Sequence, residues 1–453
     1  MKKSRDLTSG NIKKQLASMT WPMIFGMLGM VIFNLVDTYF IGKLGVDQLA
    51  AIGFCYPVVI FINSVALGIG IGTSSLMSRN IIKQSHKQVQ KIATRSILLG
   101  LIIVFIVIVI GKSTIYPLFR VIGAGDHLLI LIDDYMSIWY LGVMFVVLPM
   151  IGNNIVRATG NTLLPGALMV MSATINAILD PLFIFGIGPF PELGIQGAAL
   201  ATVIGRSAGF IFILIVLIRK YKFITLKLGK IGEIFHTWKK VLYIAGPASI
   251  TLLITPVSLG LITRILSQFG EHAVAGFGVA TKVESFALMV VNALGSVLVI
   301  FAGQNISKCK IDRIFKAIRY GTIFCLIWGS LMFFVSMIAG DTIAGIFSDS
   351  PAVISVTARY LRIISFSYIF LGLLSMAVSI FNGINKPLPS AFFSTLRMIG
   401  LYVPLAWISS RLFGLNGIFW SAFIANISVG ILSLYWLTQL LKSMQTIHLK
   451  NKT

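Results

Sequence analysis

The sequence predicts an all-α integral membrane protein in which twelve transmembrane helices form two six-helix lobes related by an internal parallel repeat. Of its 453 residues, 57% are hydrophobic and only 11% are charged, and the mean hydropathy is +0.93, so the chain cannot present a soluble surface. Its apolar runs are long enough to cross a bilayer of about 30 Å as helices. The two halves of the chain also align with each other.

Apolar windows of about 20 residues recur along the whole chain and define the predicted spans. These windows are continuously apolar and do not alternate between apolar and polar residues, which argues against strands and a transmembrane barrel. The twelve predicted spans are residues 16–41, 49–77, 93–115, 128–151, 163–186, 195–218, 241–267, 273–302, 315–340, 353–381, 388–410 and 416–440.

Basic residues mark one side of the membrane. The net charge is +23, and 27 of the 37 Lys and Arg residues lie in the terminal segments and in the loops that share their side. By the positive-inside rule, both termini are then cytoplasmic. The charge therefore reflects topology and contacts with anionic membrane lipid, and no nucleic-acid binding is expected. No cleavable signal is visible, so we interpret the first apolar stretch as a retained span.

An internal repeat emerges when the sequence is shifted on itself by about 225 residues. The shift aligns Trp21-Pro22 with Gly246-Pro247, and a similar shift places GIQG at 194–197 over GLNG at 414–417. Because each half holds six spans, both halves have the same orientation, as in transporters built from parallel repeats with a substrate path between them. A duplicated scaffold without transport activity is the alternative.

The repeat and the charge pattern together define the expected domains. We predict an N-terminal lobe at 1–222 with spans 1 to 6, and a C-terminal lobe at 241–453 with spans 7 to 12. The polar and basic residues 223–240 between them are predicted to form a cytoplasmic linker.

Two carboxylates lie deep in apolar stretches, Asp37 in the first span and Asp180 in the fifth. A charged side chain in hydrocarbon is costly, so it persists where it is protonated, paired or bound to a cation. Asn176 precedes Asp180 by four residues and shares its helical face, and Thr202 lies two turns into the sixth span. The second half has no counterparts of these side chains. We therefore predict one specialised site formed by all four.

Such a site can bind a proton or a sodium ion. Removal from water and a like-charged neighbour both disfavour the charged form of a carboxyl group, so one acid could exchange a proton. Carboxylate, amide and hydroxyl oxygens are also hard ligands of the kind that suit Na⁺. Pro181 has no amide hydrogen for the carbonyl of Ala177, which leaves that oxygen free for a cation or water. An ordinary proline kink, and acids satisfied by helix–helix hydrogen bonds, are the alternatives.

Glu284, in the eighth span, is a further embedded acid. We expect it to pair with Lys282 or Arg264, and a role in the substrate cavity or in gating is the alternative.

Other features argue against an enzyme or an ATP-driven pump. The five histidines lie in loops or near span ends, without a clustered base and nucleophile. The segment that ends in Gly111-Lys112-Ser113 lacks the first glycine of a phosphate-binding loop. The three cysteines match no metal or redox spacing, so neither a structural metal nor a cofactor is expected.

Several segments together resemble the multidrug and toxic compound extrusion (MATE) family over nearly the full chain. They are VDTYFIGKLG at 36–45, RATGNT at 157–162, NAILDPLFIFG at 176–186 and GIQGAALAT at 194–202. The acids in spans 1 and 5, together with VESFA at 283–287, are similar to the DinF-like and archaeal-type branch of that family.

The resemblance implies a secondary active antiporter that exports cationic amphiphilic drugs in exchange for H⁺ or Na⁺ by alternating access. It also implies a location in the cytoplasmic (inner) membrane of a prokaryote, and we expect a monomer. By matching motif, the coupling residues are Asp37, Asn176, Asp180 and Thr202. Asn153 becomes a cavity-lining residue, and Pro22 corresponds to a proline linked to bending of the first helix.

The alternative function is a flippase of the same superfamily for lipid-linked oligosaccharides or other lipids. Such a protein needs a cationic cavity to hold pyrophosphate, whereas the embedded acids favour cations.

Overall fold

The computed structural model describes residues 5–82 and 86–450, and these residues form α-helices and short 3₁₀ and π-helical segments without any strand. The helices of the first half are α1 Ile12–Gly42, α2 Val46–Asn80, α3 His86–Ile122, α4 Asp126–Leu141, α5 Met144–Ala158, α6 Leu163–Phe185 and α7 Gly194–Ile215. Those of the second half are α8 Ile231–Leu266, α9 Glu271–Ser307, α10 Ile311–Gly345, α11 Pro351–Ile364, α12 Tyr368–Gly383, α13 Pro387–Thr395 and α14 Val403–Lys450. The predicted all-helical fold class is confirmed.

The number of membrane spans follows from the lengths of the helices and from the breaks in their backbone. Within the described residues, ten helical stretches are long and apolar enough to cross a membrane, and α4 with α5 forms another, bent by 44°. The stretch Pro387–Ile447 counts once among the ten, yet its 61 residues would extend about 90 Å, three times the apolar thickness of a bilayer. Its backbone breaks at Gly414 (φ 60°, ψ −145°), so it contains two spans. This division gives the twelve predicted spans.

The chain folds into two compact units. One contains residues 21–249 with the segment that ends at Asp6, and the other contains Leu7–Thr20 with the residues from Ile250 onward. In the first unit, apolar side chains of α2, α3, α4 and α5 form the main core. In the second unit, a core is formed by α9, α11 and α14 with the second part of α8.

The predicted repeat is visible in the packing of each unit. In the first unit α2 packs along α5, and α3 along α4. In the second unit α9 packs along α12, and α10 along α11, which are the elements one repeat further along the chain. The sequence shift of about 225 residues therefore corresponds to a repeated arrangement of helices.

Residues 223–240, the predicted linker, belong to the first unit, and helix α8 already begins at Ile231. Arg95 of α3 explains why this polar stretch is held in place. Its guanidinium donates to the carbonyl of Leu228 (3.0 Å from Nε), to Thr237 Oγ1 (3.0 Å) and to Glu233 Oε2 (2.5 Å). Arg95 is buried, and all of these donors are directed at the segment from Leu228 to Thr237, so they hold that segment against α3.

Candidate functional site

Small residues bring α6 and α7 into close contact. Gly197, Ala201, Gly205 and Gly209 follow each other at intervals of four, so they form one stripe along α7. A Cβ atom on Gly205 would lie only 3.1 Å from Cβ of Asn176, and one on Gly197 would lie 2.3 Å from the carbonyl oxygen of Phe183. The two helix backbones can approach this closely because the glycines of α7 have no side chains at the points of contact. This contact positions the polar residues of both helices.

Asn176 connects α6 to α7 and holds the acid next to it. Its Nδ2 donates to Asp180 Oδ1 (3.1 Å) and to Thr202 Oγ1 (3.3 Å). All three side chains are buried, with 1%, 0% and 6% of Asn176, Asp180 and Thr202 exposed. The spacing of four residues between Asn176 and Asp180 places them on one face of α6, as the sequence predicted.

Asp37 approaches this cluster from α1. The two helices α1 and α6 touch through glycines, since a Cβ on Gly26 would lie 2.8 Å from Cα of Gly166. Asp37 is half-buried, five residues before the end of α1, and interacts electrostatically with Asp180 and Arg206. The four residues predicted to form a coupling site are thus assembled by α1, α6 and α7 within one unit.

Three oxygen atoms of the cluster have no hydrogen-bond partner among the described residues. They are Asp37 Oδ1, Asp180 Oδ2 and Asn176 Oδ1, all three buried. A buried polar atom without a partner costs about 1 to 3 kcal/mol, so the site gains stability when a ligand supplies the missing bonds. Because all three atoms are acceptors, the missing partner is a hydrogen-bond donor, such as water, or a proton or a cation. In the described part of the chain, no three Cys, His, Asp or Glu side chains form a metal-binding group.

Tyr135 is a neighbour of the cluster that the sequence reasoning did not identify. It lies on α4, is 7% exposed, and interacts electrostatically with Asp37, Arg206 and Asp180. A buried tyrosine among many apolar residues carries no distinctive local signal. The repeat offers one, because a shift of 225 places Tyr135 on Tyr360, which contacts the embedded acid of the second unit.

A cavity of about 220 Å³ adjoins the cluster inside the first unit. Asn176 and Thr202 belong to its wall, so the same two side chains face both the buried acids and the open space. Most of the remaining wall is apolar and includes Met27, Met30, Phe145 and Met150. Methionine-rich walls adapt to ligands of different shape. This arrangement links a candidate ion site directly to a candidate substrate site.

Two arginines also line the cavity. Arg206 follows Thr202 by one helical turn on α7, and Arg157 follows Asn153 by one turn on α5, which puts both polar pairs on cavity-facing stripes. The Nε atom of Arg157 is buried without a partner, and Arg157 forms no ion pair with any described residue. A buried guanidinium nitrogen without a partner is costly unless an anion or water reaches it. The cavity therefore has cationic wall groups beside its acidic neighbours.

The remaining predicted site residues have the following positions. Asn153 lines the cavity, and its Oδ1 is buried without a partner. Pro22 and Pro181 lie inside α1 and α6, which continue as helices through them. Glu284 lies in the second unit, where the hydroxyl of Tyr360 donates to its Oε2 at 2.7 Å. The expected pairing of Glu284 with Lys282 or Arg264 is thus replaced by a partner on α11.

The chain is an all-helical membrane protein built from two parallel repeats, and its membrane-spanning helices hold buried ionisable groups beside a cavity. This architecture is typical of a transporter. The chain matches the MatE family model twice, over residues 22–182 and 247–408. It is 35% identical over 439 residues to the FAD transporter of Shewanella oneidensis, with 97% of each chain covered.

A second relative, the probable multidrug resistance protein YoeA of Bacillus subtilis, is 26% identical over 422 residues, covering 91% of this chain and 90% of that one. Among solved structures, a mutant of the Vibrio cholerae MATE transporter VcmN matches with a TM-score of 0.91 at 30% identity, covering 95% of this chain and 97% of that one. The chain belongs to the MATE family of efflux transporters, and it is a multi-pass membrane protein and not an enzyme.

Proposed function

We propose that the chain is a secondary active exporter driven by H⁺ or Na⁺, with Asp37, Asn176, Asp180 and Thr202 as its ion-coupling site. The observation that carries this proposal is the set of three buried, unpartnered acceptor oxygens beside a cavity whose wall includes Asn176 and Thr202. An ion that binds these oxygens changes the hydrogen bonds of two cavity residues. Occupation of one site therefore alters the free energy of binding at the other, which is the requirement for coupled transport.

The coupling ion can be identified with imposed gradients. Inside-out membrane vesicles containing the chain are loaded with substrate under a pH gradient alone or a Na⁺ gradient alone. Faster substrate uptake under one of the two gradients identifies the coupling ion. We expect Asp37→Asn and Asp180→Asn to abolish this increase in uptake while the protein remains inserted in the membrane. Asp47→Asn, the same substitution at an exposed position of α2, is the matched control. Wild-type acceleration in both site variants would refute the coupling site.

The predicted substrates are cationic amphiphilic compounds. The methionine-rich apolar wall supports this class, and so do relatives described as multidrug resistance or multidrug export proteins. Anionic neighbours of the cavity, Asp37 and Asp180, add attraction for a cation while they are charged.

A second candidate substrate class is an anionic flavin nucleotide. Arg157 and Arg206 favour it, because guanidinium groups bind phosphate through paired hydrogen bonds and Arg157 has no counter-ion among the described residues. The relative from Shewanella oneidensis that is described as a FAD transporter supports it as well.

Transport of FAD and of a fluorescent cation, measured in the same vesicles, separates the two classes. If FAD is the substrate, Arg157→Gln lowers its uptake at least tenfold, as expected for the loss of one charged hydrogen-bonding group worth about 1.5 to 3 kcal/mol. Arg219→Gln, at an exposed arginine, is the control. Uptake of the cation alone, unaffected by Arg157→Gln, supports the cationic class. Transport that responds to neither gradient would favour the lipid flippase.

We also propose an inner-membrane location in a bacterium with both termini cytoplasmic, based on the distribution of Lys and Arg. Reporter fusions at the C-terminus that are active only in the cytoplasm test this orientation. The expected absence of a cofactor and the monomeric state remain predictions.

A further inference from the structure

The exposed face of α9, in the second unit, differs from that of a helix against lipid. Between residues 275 and 292, the exposed positions of α9 follow each other at intervals of three, four and seven, so they form one stripe along the helix. They are Ala275, Gly278, Lys282, Ser285 and Asn292. No side chain of this α9 stripe is large and apolar, and the large apolar side chains exposed elsewhere in the described chain include none from α9.

Helix α10 of the same unit provides the comparison. Between residues 321 and 340, all of its exposed side chains are large and apolar, as expected for a surface in contact with lipid. They are Ile323, Leu326, Ile327, Leu331, Phe334, Val335, Met337 and Ile338. Polar and charged side chains within membrane spans face the protein interior or a water-filled cavity instead. The α9 stripe, with its lysine, serine and asparagine, therefore faces water.

The depth of the α9 stripe separates it from the membrane surface. Helix α9 has 37 residues and extends about 55 Å at 1.5 Å per residue. Lys282 lies about 17 Å from the first residue of the helix, and Asn292 lies about 32 Å from it. A lysine side chain is long enough to extend towards the membrane surface, whereas an asparagine near the middle of a span is not. The exposed amide of Asn292 therefore indicates a water-filled path along this face of the second unit.

Helix α12 orients the amide of Asn292. The hydroxyl of Ser375, on α12, donates to Asn292 Oδ1 at 3.0 Å. The two helices come close here because Gly295 has no side chain, and a Cβ atom on it would lie 2.7 Å from Oγ of Ser379. With its oxygen occupied, Asn292 keeps its Nδ2 donors for another partner, and no described residue accepts from them. The amide is thus available to bind an acceptor oxygen of a ligand.

Lys282 lacks a counter-ion. It forms no ion pair within the described residues. Glu284, two residues further on, lies on another face of α9, where it accepts a hydrogen bond from the hydroxyl of Tyr360 at 2.7 Å. One turn after Lys282, Ser285 donates to the carbonyl of Thr281 at 2.8 Å, so its oxygen adds no negative charge to the stripe. A lysine ammonium group in such surroundings attracts an anion, and phosphate is a common partner.

The polar groups of the α9 stripe are absent from the first repeat. A shift of 225 residues places Lys282 on Pro57 of α2. The same shift places Asn292 on Leu67. The repeated fold therefore does not require these polar groups. We propose that the α9 stripe lines a water-filled substrate path and binds the phosphate group of an anionic substrate at Lys282, with Asn292 donating to an acceptor oxygen further along the helix.

This proposal rests on the proposed export function only in calling the ligand a substrate, because water access and binding are measured without an ion gradient. In a Cys309→Ser background, which removes the exposed cysteine, Lys282→Cys and Asn292→Cys should both react with a membrane-impermeant thiol reagent in intact membranes. Ile327→Cys, on the apolar face of α10, is the matched control and should not react. Failure of Asn292→Cys to react would overturn the water-filled path, and reaction of Lys282→Cys alone would show that this lysine only reaches lipid headgroups.

FAD and riboflavin test the role of the charge, because they share the flavin ring and only FAD carries phosphate. Binding of each compound to the purified full-length chain, followed by flavin fluorescence, should show a preference for FAD. This preference should fall about tenfold in Lys282→Gln, as expected for the loss of one charged hydrogen-bonding group, and should persist in Lys282→Arg. Lys316→Gln, at an exposed lysine of α10, should leave the preference unchanged.

An unchanged preference for FAD in Lys282→Gln, or no preference in the wild-type chain, would overturn the phosphate site. A different result would refute the proposed function alone. If FAD binds with the expected dependence on Lys282 but neither a pH gradient nor a Na⁺ gradient drives its transport, ion-coupled export fails while the binding site on α9 stands.

Discussion

The contact between α6 and α7 allows the coupling site to be perturbed without altering any of its polar groups. In Gly205→Ala, the new Cβ atom would lie 3.1 Å from Cβ of Asn176 and 3.1 Å from the carbonyl oxygen of Ser172. Carbon atoms in ordinary contact are about 3.5 to 4.0 Å apart. The two helices must therefore separate locally by a few tenths of an ångström.

That displacement is enough to break one hydrogen bond of the site. The Asn176 Nδ2 to Thr202 Oγ1 distance is already 3.3 Å, and a further 0.3 to 0.5 Å, roughly, exceeds the range of a side-chain hydrogen bond. The bond from Asn176 to Asp180 stays intact because both residues belong to α6. Loss of one neutral hydrogen bond is worth about 1 kcal/mol, which corresponds to roughly fivefold weaker ion binding if Thr202 helps to orient Asn176.

The assay is the concentration of coupling ion that gives half-maximal transport in vesicles, titrated with H⁺ and with Na⁺. We expect Gly205→Ala to raise it about fivefold, and Thr202→Val to have a similar effect because it removes the same hydroxyl. Gly53→Ala is the matched control, since a Cβ on Gly53 would meet no atom within 4 Å. Wild-type ion dependence in both Gly205→Ala and Thr202→Val, at normal expression, would show that the Asn176–Thr202 contact is not part of ion binding.

Two further predictions concern stability. Arg95→Gln removes the donors that hold Leu228 and Glu233 against α3. It should lower the free energy of unfolding of the first unit by about 2 kcal/mol, seen as a lower melting temperature in detergent. Arg219→Gln, at an exposed arginine, should leave the melting temperature unchanged. Gly166→Ala would place a Cβ atom 2.5 Å from the carbonyl oxygen of Pro22. It should destabilise the α1–α6 contact by about 1 to 3 kcal/mol and reduce the yield of folded protein, whereas Gly53→Ala should not. Equal melting temperatures of Gly166→Ala and the wild type would contradict this packing.

The sequence predicted those features that depend on local spacing. Apolar length identified the spans because a bilayer imposes a minimum helix length. The four-residue interval from Asn176 to Asp180 predicted a shared helical face, and the structure shows a hydrogen bond between these two side chains. The stripe of small residues from Gly197 to Gly209 carries the same kind of information, because small residues at intervals of four on one helix favour close packing of a neighbouring helix.

Features that depend on helix rotation or on distant partners could not be predicted. Arg157 faces the cavity because of how α5 is rotated, and an arginine at a span end fits a topology signal equally well. The partner of Glu284 is 76 residues away, so nearby Lys282 was a more obvious expectation than Tyr360. Helix α8 begins at Ile231, ten residues before the predicted span, because its first turns are polar and are held by Arg95 instead of by lipid.

The charges around the cavity predict opposite effects of the coupling ion on the two candidate substrates. When a cation or proton binds Asp37 and Asp180, the cluster becomes less negative, while Arg157 and Arg206 keep their positive charge at the cavity wall. A cationic substrate then meets repulsion, so ion and substrate weaken each other's binding as exchange requires. An anionic substrate meets stronger attraction, so electrostatics alone would make the two bind together.

For an anion, exchange would instead have to arise from competition for Asn176 and Thr202, which belong to both sites. Substrate affinity measured by fluorescence on the purified chain, with and without saturating ion, distinguishes these cases. We expect the ion to weaken the binding of a fluorescent cation, and Asp180→Asn to remove this effect because the amide mimics the neutral acid. If the ion instead strengthens FAD binding and Asp180→Asn reproduces that increase, electrostatic antiport of cations is refuted, and the two arginines define the substrate.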